Sequence, residues 1–181
     1  MMAILRLQIL FVAVTFALYF GMSLVHVVLF RGWLEHTEGI SWFYLPASVR
    51  LLCTLLFGGA GAIGLLLASF CEGVLFHFPS AARAAVGALF STAAPWAVYL
   101  WARRAWGLQA SLKNLTARRL LGLCLAYSVS SPLLHHIYFM AMGQRDGLLQ
   151  GFAAMFVGDL VGTLVVLYGM RAVALRRRAR R

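Results

Sequence analysis

The chain has 181 residues, 62% of them hydrophobic, and a formal net charge of +11. Its mean hydropathy of +0.86 excludes an ordinary soluble domain, and no polar stretch is long enough to fold alone, so one polytopic membrane domain is expected. In a soluble protein this charge would suggest nucleic acid. In a membrane protein arginines mark cytoplasmic helix ends and meet anionic lipid, so the expected partner is the bilayer and not nucleic acid.

The first apolar run, 8–30, follows Arg6 as in a secretion leader. It is too long for one and lacks a clean small-x-small cleavage site, so it is expected to span. A polar loop with Arg31, Glu35, His36 and Glu38 follows. The next apolar region, 44–78, is too long for one straight crossing. The Gly58-Gly59-Ala60-Gly61 break divides it into 44–59, slightly short for a bilayer, and 60–78. After Pro79-Ser80 comes 84–101, then a basic loop with Arg103, Arg104, Lys113, Arg118 and Arg119 and no acid. The fifth span is 120–140. A loop with Arg145 and Asp146 leads to the last span, 148–173, and the tail carries Arg176, Arg177, Arg178, Arg180 and Arg181. This divides the chain into a membrane domain, 1–175, and a basic tail, 176–181.

The positive-inside rule places the basic loop and the tail in the cytoplasm and the Glu35/Glu38 loop outside. An odd number of crossings must then join 44 to 101, and three satisfies this if the Gly58–Gly61 break is a hairpin. The expected fold is an all-α, multi-pass bundle of six transmembrane helices in a bacterial inner membrane, with both termini cytoplasmic.

Asp159 falls near the middle of the last span, where an acid costs roughly 2.5–3.5 kcal/mol unless it faces a partner or a wet cavity. Gly158 and Gly162 flank it with small-xxx-small spacing, which lets another helix backbone come close. In this topology Arg50, Glu72, His77, His26, His135 and His136 all fall in the outer half of the membrane. Ser128, Ser131, His135 and Tyr138 form one stripe on the fifth helix, and Pro132 can free a carbonyl there. Ser91, Thr92 and Pro95 do the same on the fourth. Converging stripes predict an outward-opening pocket roofed by Trp42, Phe43 and Tyr44. Its ligand-binding residues would be Asp159, Arg50, Glu72, His135, Ser131 and Tyr138.

Plainer roles compete for each residue. Asp159 pairs with Arg50 to fix helix packing, or Arg50 snorkels to the headgroups. Glu72 is neutral and bonded to Ser69. The histidines are interfacial or core residues, and the aromatic residues form an interfacial belt. Cys53, Cys71 and Cys124 are odd in number, lie in apolar runs and lack metal spacing, so no metal and no cofactor is expected. No P-loop, zinc-protease helix or nucleophile elbow is present, so no enzyme is expected.

Trp42-Phe43-Tyr44-Leu45-Pro46-Ala47, Gly61-Ala62-Ile63-Gly64 through Ala68-Ser69-Phe70, and above all Gly158-Asp159-Leu160-Val161-Gly162-Thr163-Leu164 carry a resemblance across most of the chain. It resembles the bacterial membrane-associated sensor domain of the first class, the MASE-type integral membrane domain. Ala47 replaces the second proline of that family's Trp-Pro-Pro-Ala-Gly motif. The proline that commonly follows the last motif is also absent, with Val166 and Leu167 nearby. Family members usually carry a cytoplasmic output domain after the last span, and none follows here before Arg181. The resemblance therefore implies a sensory or ligand-binding membrane module but supplies no output: either a separate partner reads its inner face, or the protein does something else with the same bundle.

Three functions follow as expectations. The first is a sensor that binds a small ligand in the outer pocket and signals to a cytoplasmic protein. The second is the substrate-capturing membrane subunit of a transporter. The third is a haem- or quinone-binding protein using His26, His77, His135 or His136.

Overall fold

The computed structural model describes residues 2–30, 33–37, 40–144 and 146–179. The chain is almost wholly helical. Its helices are α1 (Met2–Phe30), α2 (Pro46–Phe57), α3 (Gly59–Glu72), α4 (Ala81–Trp106), α5 (Ala117–Ala141) and α6 (Leu148–Ala179). Two short strands, β1 (Glu35–Thr37) and β2 (Ile40–Ser41), pair antiparallel with Glu35 opposite Ser41. Arg31, Glu38, Arg145, Arg180 and Arg181, and the side chains of Glu35, His36, Arg177 and Arg178, lie outside what is described.

Five helical segments are long and apolar enough to cross a membrane: α1, α3 with the turn that follows it, α4, α5 and the Leu148–Met170 part of α6. The protein is thus built as a multi-pass membrane protein. Its surface agrees. Leu125, Val129 and Leu133, at four-residue steps on α5, are exposed, as are Leu10, Leu18, Ile63, Leu89 and Val165 on other helices. The polar side chains Ser128, Ser131 and His136 of the same α5 are buried. Apolar outside and polar inside is the arrangement a lipid solvent favours.

The 44–59 segment, expected to be short for a bilayer and broken or tilted, is broken. Only α2 is helical, and at 12 residues it spans about 18 Å, well short of a bilayer core. The preceding Ser41–Leu45 segment is non-helical and lies against α6. The Tyr44 amide donates to the Gly158 carbonyl at 3.1 Å. Cβ atoms at Gly158 and Gly162 would overlap the Ser41 and Tyr44 carbonyls. The two glycines therefore admit a close backbone, as their spacing suggested, but it belongs to a non-helical segment rather than to a helix. Gly162 lies about 21 Å along α6 from its start. Irregular backbone at such depth is tolerated only where protein buries it.

At Gly58 (φ 55°, ψ −126°) the chain reverses, in a conformation that glycine adopts without steric cost. A Cβ on Gly61 would overlap the Cys53 carbonyl, and Val49 and Cys53 share a core cluster with Leu65, Ala68 and Tyr19. The α2–α3 break is thus a tight hairpin. Its tip meets the Tyr99 hydroxyl, 3.2 Å from where a Gly58 Cβ would stand. A second cluster, with Leu51, Leu55, Val98, Leu123, Tyr127 and Leu167, ties α2 to α4, α5 and α6.

The remaining connections follow from local chemistry. The Ser80 side chain caps α4 by accepting from the Arg83 amide, and Thr116 caps α5 by accepting from the Arg119 amide. Gly107, in the left-handed region at φ 57°, closes α4. α3 runs on into a π turn, Gly73–His77, where the Phe78 amide reaches the Gly73 carbonyl at 2.8 Å. Bonding five residues back brings side chains i and i+5 onto one face, and here it brings His77 to Glu72.

Candidate functional site

At one end of the bundle a cavity of about 720 Å³ opens among the helices. Its lining includes Thr37, Pro79, Gln144 and Asp146, from the three connections at that end, Arg83 from the first turn of α4, and, farther in, Arg50, Ser69, Glu72, Ser91, His135 and Asp159. The basic residues Arg103, Arg104, Lys113, Arg118 and Arg119 belong to the opposite end. Of the expected roof, Tyr44 lines the cavity together with Thr37, Ile40 and Ser41. Trp42 is 42% exposed, and Phe43 packs edge-on against Phe30 at 5.2 Å.

The buried cation of the cavity is Arg50, only 6% exposed. Its Nη2 donates to the Tyr19 hydroxyl at 2.6 Å and to the Tyr44 hydroxyl at 3.0 Å. Its guanidinium carbon also stands 5.2 Å and 4.9 Å from the centroids of the same two rings, a cation–π arrangement. Tyr19 in turn donates to Glu72 Oε2 at 2.5 Å. On its other oxygen Glu72 faces His77 Nε2 at 3.7 Å. Four elements, α1, α2, α3 and the segment before α2, are thus joined through one buried relay of charge-assisted hydrogen bonds.

This geometry corrects several expectations. Glu72 bonds Tyr19 rather than Ser69, whose hydroxyl has no hydrogen-bond partner. Arg50 does not snorkel; it is turned inward and held by phenols. Nor does it form an ion pair with Asp159. Among the described residues the pair within 4.0 Å is His77–Glu72. Arg50 lies level with Tyr19, about 16 Å back from the end of α1. α2 starts deep because non-helical chain covers the first part of that descent.

Asp159 is buried, lines the cavity, and leaves Oδ2 without a hydrogen-bond partner. It stands within electrostatic reach of Arg50 and beside Ser131 of α5, an expected ligand-binding residue that is fully buried and not among the cavity-lining residues. Its own backbone carbonyl accepts from the Thr163 hydroxyl at 2.5 Å.

The α5 stripe divides. His135 lines the cavity, with its Nδ1 on the Ser131 carbonyl at 2.8 Å. Ser128 is turned onto the Cys124 carbonyl at 2.8 Å. Tyr138 is not among the lining residues; it packs against Phe90 at 5.8 Å between centroids. A stripe at three- and four-residue steps drifts around the helix, and by Tyr138 it has left the cavity side. His136, absent from the expected set, does line the cavity and packs against Phe152 at 5.6 Å.

Tyr19 is the relay residue that sequence reasoning missed, while Tyr44, expected in the roof, and His77, named as a haem or quinone ligand, take places in the relay that it did not foresee. Tyr19 gives no signal in an apolar helix, where a tyrosine reads as a core aromatic. The spacing of Glu72 and His77 is not a helical neighbour spacing, so only the π turn makes them a pair. His26, one of the four histidines named as haem or quinone ligands, lines the cavity and packs edge-on against Tyr44 at 5.1 Å. Among the described residues no three His, Cys, Asp or Glu side chains converge as a metal site would need.

No protein-family model, no curated protein and no solved structure matches this chain.

Proposed function

We propose that this chain is a non-enzymatic sensor-like protein of a bacterial inner membrane. It crosses six times, with both termini cytoplasmic. A small polar ligand binds in a cavity open to the extracytoplasmic side, and the occupied state is passed to a cytoplasmic signalling protein.

One juxtaposition carries this reading. The cavity that reaches the buried Arg50, Glu72 and Asp159 opens at the end of the bundle opposite the basic loop. A protein that needed only helix register would gain nothing from an open route to its buried charges, each of which is costly at that depth. α6 supplies a physical connection, since Asp159 on the cavity and Arg176 at the basic end share one helix. The resemblance of Gly158 to Leu164 to the last motif of MASE-type sensory domains points the same way.

Crosslinking the tagged chain in its native membrane and identifying what co-purifies tests the reading. Recovery of a kinase or cyclase, lost when Lys113, Arg118 and Arg119 are changed to glutamine, supports it. Recovery of an ATPase pair would replace it with a transporter subunit, and a haem absorbance band in the purified protein would replace it with a redox role.

A further inference from the structure

Arg50 and Asp159 form an unusual couple in the cavity. Arg50 has a guanidinium nitrogen, Nε, with no hydrogen-bond partner, and Asp159 has a carboxylate oxygen, Oδ2, with none. Both side chains are more than nine-tenths buried and both line the cavity. They sit on different helices, and no nitrogen of one comes within 4.0 Å of an oxygen of the other. The third deep charge is already compensated, because Glu72 has Tyr19 on one oxygen and His77 on the other. The protein thus presents one incompletely satisfied cation and one incompletely satisfied anion on different helices, with the Tyr127 hydroxyl of α5 within electrostatic reach of both.

Buried polar groups left unpaired cost free energy that a ligand recovers by pairing them. A simple anion would gain Arg50 but meet Asp159, and a simple amine would meet the reverse. A molecule carrying both charges satisfies the two at once. We infer that the ligand of this cavity is a small zwitterion of the amino-acid type, with its carboxylate toward Arg50 and its ammonium toward Asp159. Gly87, Ala88 and Gly151, small residues in the cavity wall, leave room for a side chain. This inference rests on the reading that the cavity takes a small ligand from outside.

The test is thermal melting of the full chain in lipid nanodiscs, titrated with free α-amino acids. Each amino acid that acts is compared with its decarboxylated amine and its deaminated carboxylate. The expected result is a dose-dependent rise in Tm with at least one amino acid, and roughly tenfold weaker binding of each single-charge analogue. Asp159→Asn should erase the preference over the carboxylate, and Arg50→Lys should weaken carboxylate recognition while the protein still folds. Equal binding of amine or carboxylate overturns the inference. So does the absence of any response to amino acids. If a cysteine at Ser91 is still modified from outside the membrane, that failure leaves the cavity reading standing; if it is not, both readings fall.

Discussion

Arg50 and Tyr19 meet at 2.6 Å in the middle of the bundle, and the hydroxyl that takes the guanidinium proton gives its own to Glu72. One phenol therefore joins a buried cation to a buried anion that do not touch. Tyr19→Phe keeps the ring and its cation–π contact but cuts its three hydrogen bonds, to Arg50, Glu72 and Tyr44. The expected cost is roughly 1.5–3 kcal/mol, read as a lower midpoint in denaturant titration of the detergent-solubilised chain. Tyr44→Phe removes one bond to Arg50 and one to Tyr19 and leaves Glu72 served, so its effect should be smaller. Equal midpoints for Tyr19→Phe and the natural chain would remove the relay from the account.

Charge loss at the same place should be harsher. Arg50→Gln removes the buried cation of the relay, leaving Glu72 with only the Tyr19 hydroxyl and His77 and taking a charged donor from two phenols. Breaking a buried charged pair on one side costs about 3–5 kcal/mol. We expect Arg50→Gln to lower the yield of folded protein, and Arg50→Gln with Glu72→Gln to recover part of it. The measurement is the monodisperse fraction on size-exclusion chromatography. No recovery in the double variant would mean that the two residues act separately.

Gly158 and Gly162 face carbonyl oxygens of the Ser41–Leu45 segment, where a methyl group has no room. Alanine at either position must push that segment off α6 and with it Tyr44, one of the phenols on Arg50. Overpacking of this kind costs about 1–3 kcal/mol. Gly169, farther along the same helix, has nothing within 4 Å of its would-be Cβ, so Gly169→Ala should be neutral or slightly stabilising. Thermal melting of the three variants checks the contrast, and equal loss at all three would indicate a general effect of helix composition.

The sequence shows the helices because lipid demands long apolar runs, and the Gly58–Gly61 break shows the hairpin because only a glycine-rich stretch turns so tightly. It also shows Asp159, since an acid in an apolar run is conspicuous. It conceals how the site is held. Segment 44–59 reads as a weak helix, because nothing in Trp42-Phe43-Tyr44 says that the backbone would lie non-helically in a glycine groove. Arg50 and Asp159 look like partners because opposite charges in one membrane invite pairing. The phenols that occupy Arg50 instead are ordinary aromatic residues by composition. Tyr138 continues a polar stripe on paper, yet the helix turns it away toward Phe90.

Orientation rests on charge. In the proposed topology a cysteine at Gln144, beside the cavity mouth, reacts with an impermeant maleimide in intact cells, and one at Lys113 reacts only after lysis. Cys53, Cys71 and Cys124 would first be replaced by alanine. The reverse pattern would turn the cavity toward the cytoplasm.

The most direct measurement is modification of Ser91→Cys by a small, charged, impermeant thiosulfonate applied to intact cells in that same background. Ser91 is buried but lines the cavity, whereas Ser128 is buried and not among the lining residues. The account predicts that Ser91→Cys reacts from outside and Ser128→Cys does not. Silence at Ser91, or reaction only when the reagent is given to the cytoplasmic face, would contradict it.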